Sequence, residues 1–409
     1  MSTSGDEQLS VTCCIAGGGP AGMMLGLLLA RAGVDVVVLE KHADFLRDFR
    51  GDTIHPSTLE VMHELGFLDR LLALPHQKIE RLGVSIGDEV LPVADFTQLP
   101  TRCRFVALMP QWHFLDFLAT EAAHAPTFAL RMRTEVTDLI HEGGAIVGVR
   151  ATGPDGALTI RARLVVGADG RTSLVRERAR LPIDELGAPI DVLWFRLSRR
   201  QSDGLETMGR IAAGRFLVMI DRGDYWQCGF VIPKGTIDRL RAAGLEAFRA
   251  DVTSVVPFIA DRIQEIERWD DVKLLTVQVN RARHWSRPGL LCIGDAAHAM
   301  SPVGGVGINL AIQDAVATAN LLAAPLRTGR VTPGDLAAVQ RRREWPTRVT
   351  QRLQMLAQEG VVRPVLDRTT PIAPPLALRL LGQFPILQRL PARLVGLGVR
   401  PEHVAATTR

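Results

Sequence analysis

The first forty residues carry apolar runs separated by turn residues, a pattern typical of a βαβ unit. Val11–Ala16 is a short apolar run that predicts a buried parallel strand. Pro20 suits an early helical position, and apolar residues then recur at helical spacing until Gly33 ends the helix. The apolar run Val34–Leu39 predicts a second buried strand.

The middle of the chain has the shorter period of β-strands. Ala145–Val149 and Leu158–Val166 lie on either side of a Gly-Pro-Asp-Gly turn and predict an antiparallel excursion. Three more strands are predicted at Ile190–Leu197, Arg215–Ile220 and Tyr225–Ile232, where aromatic residues are concentrated.

The last part of the chain returns to the first pattern. Gly289–Ile293 predicts another buried strand, followed by a turn at Gly294 and Asp295. A long apolar helix is predicted from Gly305 to about Leu326, and a further helix from Pro333 to Leu356.

Composition and charge exclude several classes of protein. Of the 409 residues, 47% are hydrophobic and 22% charged, which is ordinary for a globular chain. The net charge of +4 is too small to indicate a nucleic-acid partner. Five cysteines without C-x-x-C spacing suggest neither a metal site nor a disulfide framework, so a cytoplasmic location is expected. Residues 11–30 carry no charge, but glycines and a proline interrupt them, so no transmembrane segment is expected.

The turn after the first strand fits the pattern G-x-G-x-x-G of dinucleotide-binding loops. Gly17 makes the turn, Gly19 lets backbone N–H groups approach a pyrophosphate, and Gly22 allows close contact between helix and strand. Glu40 ends the second strand, where its carboxylate can accept both hydroxyl hydrogens of a ribose. The loop predicts an ADP-containing dinucleotide without distinguishing FAD from NAD(P). The residues expected to contact it here are Gly17, Gly19, Pro20, Ala21, Gly22, Glu40 and Lys41.

Two later motifs place acidic turns after predicted strands. Residues 164–171 read LVVGADGR and contain Asp169. Residues 291–298 read LCIGDAAH, contain Asp295, and continue into SPVGGVGIN at residues 301–309. The three motifs, in this order and spacing, resemble those of the single-component flavoprotein aromatic hydroxylases, the family of p-hydroxybenzoate hydroxylase and the ubiquinone-pathway hydroxylases. The resemblance covers roughly residues 10 to 350 and is specific for FAD.

The resemblance implies roles for individual residues. Asp295 would hold the ribityl chain, and Asp169 would help close the site near the nicotinamide path. Gln111 would lie against the flavin and Val136 near the adenine. Backbone groups beside the isoalloxazine would come from Gly304, Gly305, Val306, Gly307, Ile308 and Asn309. A helix N-terminus there would also stabilise the negative charge of reduced flavin.

The implied activity is that of an NAD(P)H-dependent FAD monooxygenase. NADPH or NADH would bind transiently, and O₂ would hydroxylate an aromatic or similar electron-rich small molecule, including polycyclic ones, through a flavin C4a-hydroperoxide. Arg50, near the diphosphate, and Pro302 are the residues predicted to take part in catalysis. The base is not identified: the chain has one tyrosine, Tyr225, and the histidine candidates are His55, His284 and His298.

The predicted fold is α/β. A dinucleotide-binding FAD domain (residues 1–73, 111–184 and 279–350) receives an inserted, mainly antiparallel β-sheet substrate domain (74–110 and 185–278). Residues 351–409 form a helical C-terminal region, whose stretch 371–401 has arginines and no acidic residue. Short helices covering the two domains are the favoured interpretation of that stretch, and peripheral contact with an anionic membrane is the alternative. A monomer and a homodimer are both compatible with the sequence.

Three other functions remain open. A flavin-dependent reductase or oxidase of a polyprenyl or polyketide compound has the same cofactor signals. A non-catalytic escort protein with a dinucleotide fold is a second alternative. A flavin-dependent halogenase is disfavoured, because Cys228–Pro233 replaces both tryptophans of the W-x-W-x-I-P signature.

Overall fold

The computed structural model describes residues 7–46, 53–87, 89–204, 209–368, 370 and 374–405. The strands are β1 Glu7–Ala16, β2 Val36–Leu39, β3 Thr53–Ile54, β4 Gln77–Ile79, β5 Arg81–Ile86, β6 Glu89–Asp95, β7 Val106–Leu108, β8 Phe128–Arg131, β9 Glu135–Glu142, β10 Ala145–Gly153, β11 Gly156–Gly167, β12 Ile183–Glu185, β13 Ile190–Ser198, β14 Gly209–Ala212, β15 Arg215–Asp221, β16 Tyr225–Pro233, β17 Lys273–Leu275, β18 Asn280–Ala282, β19 Ser286–Arg287 and β20 Leu290–Cys292.

The helices are α1 Pro20–Arg31, α2 Pro56–Glu64, α3 Leu68–Leu72, α4 Gln111–Ala122, α5 Leu174–Arg178, α6 Ile237–Ala243, α7 Leu245–Val255, α8 Gly307–Thr328, α9 Pro333–Ala357, α10 Arg363–Leu366, α11 Leu376–Gln383 and α12 Arg389–Gly396. A π-helical turn, Gln358–Val362, joins α9 to α10.

The first sheet has a parallel core in the order β20-β11-β1-β2-β8. Its central strands are apolar and buried on both faces, which is the pattern of a parallel sheet covered by helices. The predicted antiparallel excursion is present as β9 and β10, which pair with each other and with β11. Because the core strands are parallel, their carboxyl ends lie at one edge of the sheet.

The second sheet has the order β17-β13-β16-β15-β14-β5-β6 and is antiparallel except where β14 pairs with β5. Strands β5 and β6 come from the earlier of the two segments assigned to the substrate domain, and the others come from the later one. The domain boundaries themselves stay a prediction, and β3 pairs with β7 across them. The predicted α/β fold with an inserted antiparallel sheet and a helical C-terminal region is confirmed.

Side chains alternate across the second sheet, as they must in β-strands. Phe195 and Phe230 point to one face, where they pack against Phe248 of α7. The opposite face carries Val192 of β13 and Val231 of β16. Helix α7 therefore covers one face of the sheet, and the other face is directed toward the rest of the protein.

The long apolar helix α8 begins at Gly307, two residues later than predicted. Gly304 and Gly305 have φ values of +79° and +63°, in the left-handed region, so neither can belong to a right-handed helix. By length and composition the stretch Val303–Thr328 could cross a membrane, but 83% of its most apolar window is buried inside the protein. It packs between α1 and α9 as a core helix.

Candidate functional site

The first glycine turn lies between β1 and α1. Gly17 has φ +106°, and a Cβ atom there would lie 2.4 Å from the carbonyl oxygen of Ala168. A Cβ atom on Gly22 would lie 2.0 Å from the carbonyl oxygen of Gly17. By contrast, a Cβ atom on Gly19 would have no neighbour within 4 Å. Two glycines thus permit backbone packing, whereas the third leaves open space beside the N-terminus of α1, where Pro20 and Ala21 begin the helix.

Glu40, at the end of β2, is tied to this turn. Its Oε2 accepts a hydrogen bond of 3.0 Å from the N–H of Gly18, and its Oε1 accepts one of 3.0 Å from the N–H of His42. Nδ1 of His42 also lies 2.6 Å from Oε1, so a ribose hydroxyl would join a carboxylate that is already engaged. The carbonyl of Glu40 accepts from the N–H of Thr134, which brings the start of β9 alongside.

The residues flanking Glu40 gather with it. Lys41 pairs with Glu135 over 3.8 Å on the surface, and Val136 follows on β9. The structure therefore brings Val136 close to Glu40 and Lys41, although it is distant from them in sequence. Their predicted contacts with the adenosine stay a prediction.

The turn after β11 holds Asp169, whose oxygens are already engaged. The Ser173 hydroxyl donates to Oδ1 and the Val175 N–H donates to Oδ2 over 3.1 Å. Burial raises the pKa of Asp169, and these hydrogen bonds offset only part of that effect. Asp169 thus organises the start of α5, and its turn contacts the first glycine turn through Gly17.

Asp295 lies in the turn after β20, as predicted. Its side chain is 32% exposed, and its Oδ2 lies 3.5 Å from an Nη atom of Arg171. Arg171 follows directly after the Asp169 turn, so the two acidic turns are linked across the edge of the sheet. The carboxylate is placed to bind a polar ligand at this edge. Among the described residues, Arg171 contacts only its Oδ2.

A buried ion network supports the Asp295 turn. Asp314 of α8 has no exposed surface, and its Oδ2 accepts from the N–H of Gly294 over 3.1 Å and lies 2.6 Å from Nε2 of His298. Its Oδ1 accepts from Nε of Arg343 over 2.9 Å, and Arg343 also contacts Glu402. Burial alone would raise the pKa of Asp314, but the charges and hydrogen bonds of His298 and Arg343 hold it below its usual value. His298 is therefore engaged in holding the turn.

The second glycine turn runs from Pro302 to Gly307. The N–H of Gly305 donates to the carbonyl of Pro302 over 3.0 Å, and the carbonyl of Gly305 accepts from the Thr53 hydroxyl over 2.8 Å. A Cβ atom on Gly305 would lie 2.4 Å from Oγ1 of Thr53, whereas one on Gly307 would meet nothing within 4 Å. Gly305 is thus packed against Thr53, whereas Gly307 has open space beside its backbone.

Asn309, predicted to present its backbone here, uses its side chain to hold a distant segment. Its Oδ1 accepts from the N–H of His55 over 3.0 Å and from the Thr58 hydroxyl over 2.7 Å. Its neighbour Ile308 is buried, and Val306 precedes the helix as its N-cap. The segment 53–58 is therefore part of the site's support.

Two other predicted residues have different outcomes. Gln111 is buried at the first position of α4, as expected from the sequence. Arg50 lies outside the described residues. Among the histidine candidates, His55 is buried and His284 is exposed.

The open face of the second sheet approaches the second glycine turn. Val303 packs in the same apolar cluster as Val192, Phe216 and Val231, and Trp194 borders it. A cavity of about 460 Å³ opens at the edge of this face, where β13 begins and β16 ends. Its wall combines apolar residues with Lys234, paired to Asp191, and with side chains of the π-helical turn. The cavity is therefore less apolar than the sheet face beside it.

Several supporting residues were not predicted: Thr53, Asp314, Arg343, Gln351, Gln354 and Glu402. One signal for part of this set exists in the sequence. The buried stripe of α9 begins with Leu336 and Val339 and continues at helical spacing through Arg343, Gln351 and Gln354. Polar residues that extend an apolar stripe are candidates for buried hydrogen bonds.

Comparisons with known proteins agree with this geometry. The sequence model of a family described as an FAD binding domain matches residues 10–353. The 6-methylpretetramide 4-monooxygenase of Streptomyces rimosus is 32% identical over 383 residues, which are 93% of this chain and 91% of that protein. A dialkyldecalin synthase of Streptomyces rugosporus is 27% identical over 75% of this chain, which spans 64% of that protein's length. The solved structure of p-nitrophenol 4-monooxygenase from Pseudomonas putida has the same fold, with a TM-score of 0.75 and 19% identity over 96% of this chain and 100% of that one.

We expect His55 to make the protein less stable in mild acid. Burial lowers its pKa to about 4, although the hydrogen bond to the carbonyl of Val395 opposes the shift. Between about pH 6.5 and pH 4 the unfolded chain binds a proton that the folded chain does not, so stability falls as the pH falls. At about pH 5 the loss attributable to this group is about 2 kcal/mol. His55→Asn keeps a donor for Val395 without titrating, so its thermal midpoint should fall less between pH 8 and pH 5 than that of the wild type.

His76→Asn is the matched control for this experiment. His76 also lies 2.8 Å from a backbone carbonyl oxygen, that of Leu74, but its ring is only partly buried. A His55→Asn protein whose midpoint follows the wild type at both pH values would contradict the prediction.

Proposed function

This chain belongs to the family of FAD-dependent aromatic hydroxylases, and we propose that it hydroxylates an aromatic or similarly electron-rich small molecule with NAD(P)H and O₂. It is an FAD-dependent monooxygenase. Bound FAD would supply the redox chemistry: two electrons come from NAD(P)H, one oxygen atom enters the product, and the other leaves as water. The rest of the proposal concerns what the residues of this chain contribute.

The observation that carries the proposal is open backbone at both glycine turns. A Cβ atom on Gly19 or on Gly307 would meet no described atom within 4 Å, and we place the diphosphate at the N-terminus of α1 beside Gly19 and the flavin ring at the N-terminus of α8 beside Gly307. Glu40 would accept the ribose hydroxyls, and Asp295 would accept those of the ribityl chain. The acceptor groups and the open turns thus match the polar and flat parts of FAD.

The N-terminus of α8 would also stabilise charge. The first turn of a helix leaves its N–H groups without partners inside the helix, and the helix dipole makes this end positive. Negative charge on the reduced ring system would be placed against Gly307, Ile308 and Asn309. Pro302 begins this turn, and its part in catalysis remains a prediction, as does that of Arg50.

The substrate we propose is a fused-ring aromatic compound. A relative whose sequence aligns with 93% of this chain is named for its action on 6-methylpretetramide. The buried apolar cluster that contains Val192 and Val231 and packs with Val303 would exclude water beside the second glycine turn, and a cavity lined by apolar and charged residues opens at its edge. The base that would activate a phenol is not assigned.

The test is turnover under isotopically labelled O₂ with phenols, N-heteroaromatics and aromatic polyketides, using NADH and NADPH in parallel. We expect one labelled oxygen atom in the product, with hydrogen peroxide measured to quantify reductant consumed without hydroxylation. A converted product that contains no label would favour the reductase or oxidase alternative. A purified protein that binds no FAD would favour the escort alternative.

We expect Asp295→Ala to weaken FAD binding by about tenfold to a hundredfold, because it removes a charged hydrogen-bond acceptor. The measurement is a fluorescence titration of the FAD-free protein with FAD. Asp335→Ala is the control, since Asp335 caps the N-terminus of α9 and its loss should lower the melting temperature alone. Unchanged FAD affinity in Asp295→Ala would remove the proposed ribityl role.

The surface of the C-terminal helices supports the proposal of peripheral contact with an anionic membrane. Large apolar side chains are exposed here, from Leu376 (73%) to Ile386 (67%) and Leu390 (65%). Arg379 and Arg393 are exposed in the same stretch, which contains no acidic residue. Apolar side chains alternating with arginines match the chemistry of an anionic lipid surface.

The five cysteines are all free and buried, which is compatible with the proposed cytoplasmic location.

Sedimentation with lipid vesicles tests this contact. We expect binding to vesicles that contain phosphatidylglycerol, weaker binding to pure phosphatidylcholine, and release by salt. Replacing Phe384 and Ile386 together by serine should abolish binding, whereas Trp345→Ser, which removes an exposed apolar residue of α9, should not. A wild-type protein that fails to sediment with anionic vesicles would contradict the proposal. Loss of self-association in the double variant, without vesicle binding by the wild type, would assign the surface to a second copy instead.

A further inference from the structure

The segment that leads into the second glycine turn is fastened to α9 by glutamine side chains. Gln354 donates both hydrogens of its amide to backbone carbonyls, that of Ser301 at 2.9 Å and that of Val303 at 2.8 Å. The residue is almost fully buried. One side chain therefore satisfies two carbonyls immediately before Gly304 and Gly305.

Gln351, one turn earlier on the same face of α9, also bonds two backbone carbonyls. Its amide donates to the carbonyl of Ala299 at 3.0 Å and to that of Asn280 at 2.8 Å. The N–H of Asn280 in β18 also donates to Ala299, so the segment is held from two sides. Residues three apart on a helix lie side by side, which explains how the two glutamines reach alternate carbonyls of one stretch.

The orientation of these amides follows from their partners. Both partners of Gln354 are carbonyl oxygens, which only accept hydrogen bonds, so its NH₂ group must face them. Its Oε1 has no hydrogen-bond partner in the described part of the chain. The two carbonyls alone therefore set the direction of the side chain. A third glutamine, Gln358, begins the π-helical turn and donates to the hydroxyl of Ser301.

The glutamines supply the side-chain partners of the carbonyls of Ala299, Ser301 and Val303 in this segment. Gly304 and Gly305 follow it with left-handed backbone angles and have no side chains to pack. A buried carbonyl without a partner costs about 1–3 kcal/mol, so removing Gln354 would favour a rearranged segment. The position of the open backbone at Gly307 then depends on α9, which lies outside the three sequence motifs.

We propose that Gln351 and Gln354 are positioning residues for the flavin ring. They hold residues 299–303 so that the backbone from Gly304 to Gly307 keeps the shape that receives the ring. The inference rests on the proposed placement of FAD at this turn. Neither glutamine is assigned a contact with substrate or cofactor.

The experiment compares Gln354→Met with Gln340→Met. Gln340 lies on the same helix and also bonds backbone, accepting from the N–H of Trp285 at 3.0 Å and donating to the carbonyl of Arg283 at 2.9 Å. Both variants remove two backbone hydrogen bonds and should lower the melting temperature, Gln354→Met by more because its bonds are the more buried. We expect only Gln354→Met to raise the dissociation constant for FAD, by about tenfold, and to change the absorption spectrum and midpoint potential of the bound flavin.

Gln351→Met provides a second test. It should raise the dissociation constant for FAD by less than Gln354→Met does, because it releases the segment one step further from the turn. Gln354→Met with a lowered melting temperature but with wild-type FAD affinity, spectrum and potential would overturn the positioning role. Failure of the wild-type protein itself to bind FAD would instead overturn the proposed cofactor site.

Discussion

Close contact between two backbone turns at the carboxyl edge of the parallel sheet is the constraint on which the site depends. The turn after β1 and the turn after β11 approach so closely that Gly17 has no room for a side chain beside Ala168. Parallel pairing of β1 with β2 and β11, and of β11 with β20, brings Glu40, Asp169 and Asp295 to the same edge. The proposed dinucleotide site would use this edge, where a Cβ atom on Gly19 would meet nothing within 4 Å among the described residues.

The second glycine turn is positioned differently. No strand of the sheet continues through it, and its carbonyls are satisfied by side chains from other parts of the chain. Thr53 bonds Gly305, Gln354 bonds Ser301 and Val303, and Asp314 supports the preceding turn through Gly294. These groups are buried and polar, so their geometry is demanding: each lost partner leaves an unpaired group away from water. A segment rich in glycine thereby acquires a defined shape.

The inserted sheet completes this arrangement by the alternation of its strands. Phe195 and Phe230 face α7 and stabilise the sheet, so their neighbours in sequence are available on the other face. That face, with Val192 and Val231, packs with Val303 at the second turn. Apolar surface beside the proposed ring site would limit the access of water. A hydroxylation needs this exclusion of water, because otherwise reducing equivalents are lost as hydrogen peroxide.

The sequence alone determined the parts of this protein that are written in local patterns. The βαβ start, the antiparallel excursion, the acidic turns at Asp169 and Asp295 and the helix that begins at Pro333 follow from periodicity and from turn residues that are close together in the chain. Tertiary structure decided what holds those parts in place. The Asp314–Arg343–Glu402 network and the glutamines of α9 join residues that are far apart in sequence, and the helical spacing of Arg343, Gln351 and Gln354 indicates a buried face without indicating the partners. The start of α8 was misplaced for the same reason, because contact with Thr53 and positive φ angles at Gly304 and Gly305 outweigh the local helical pattern.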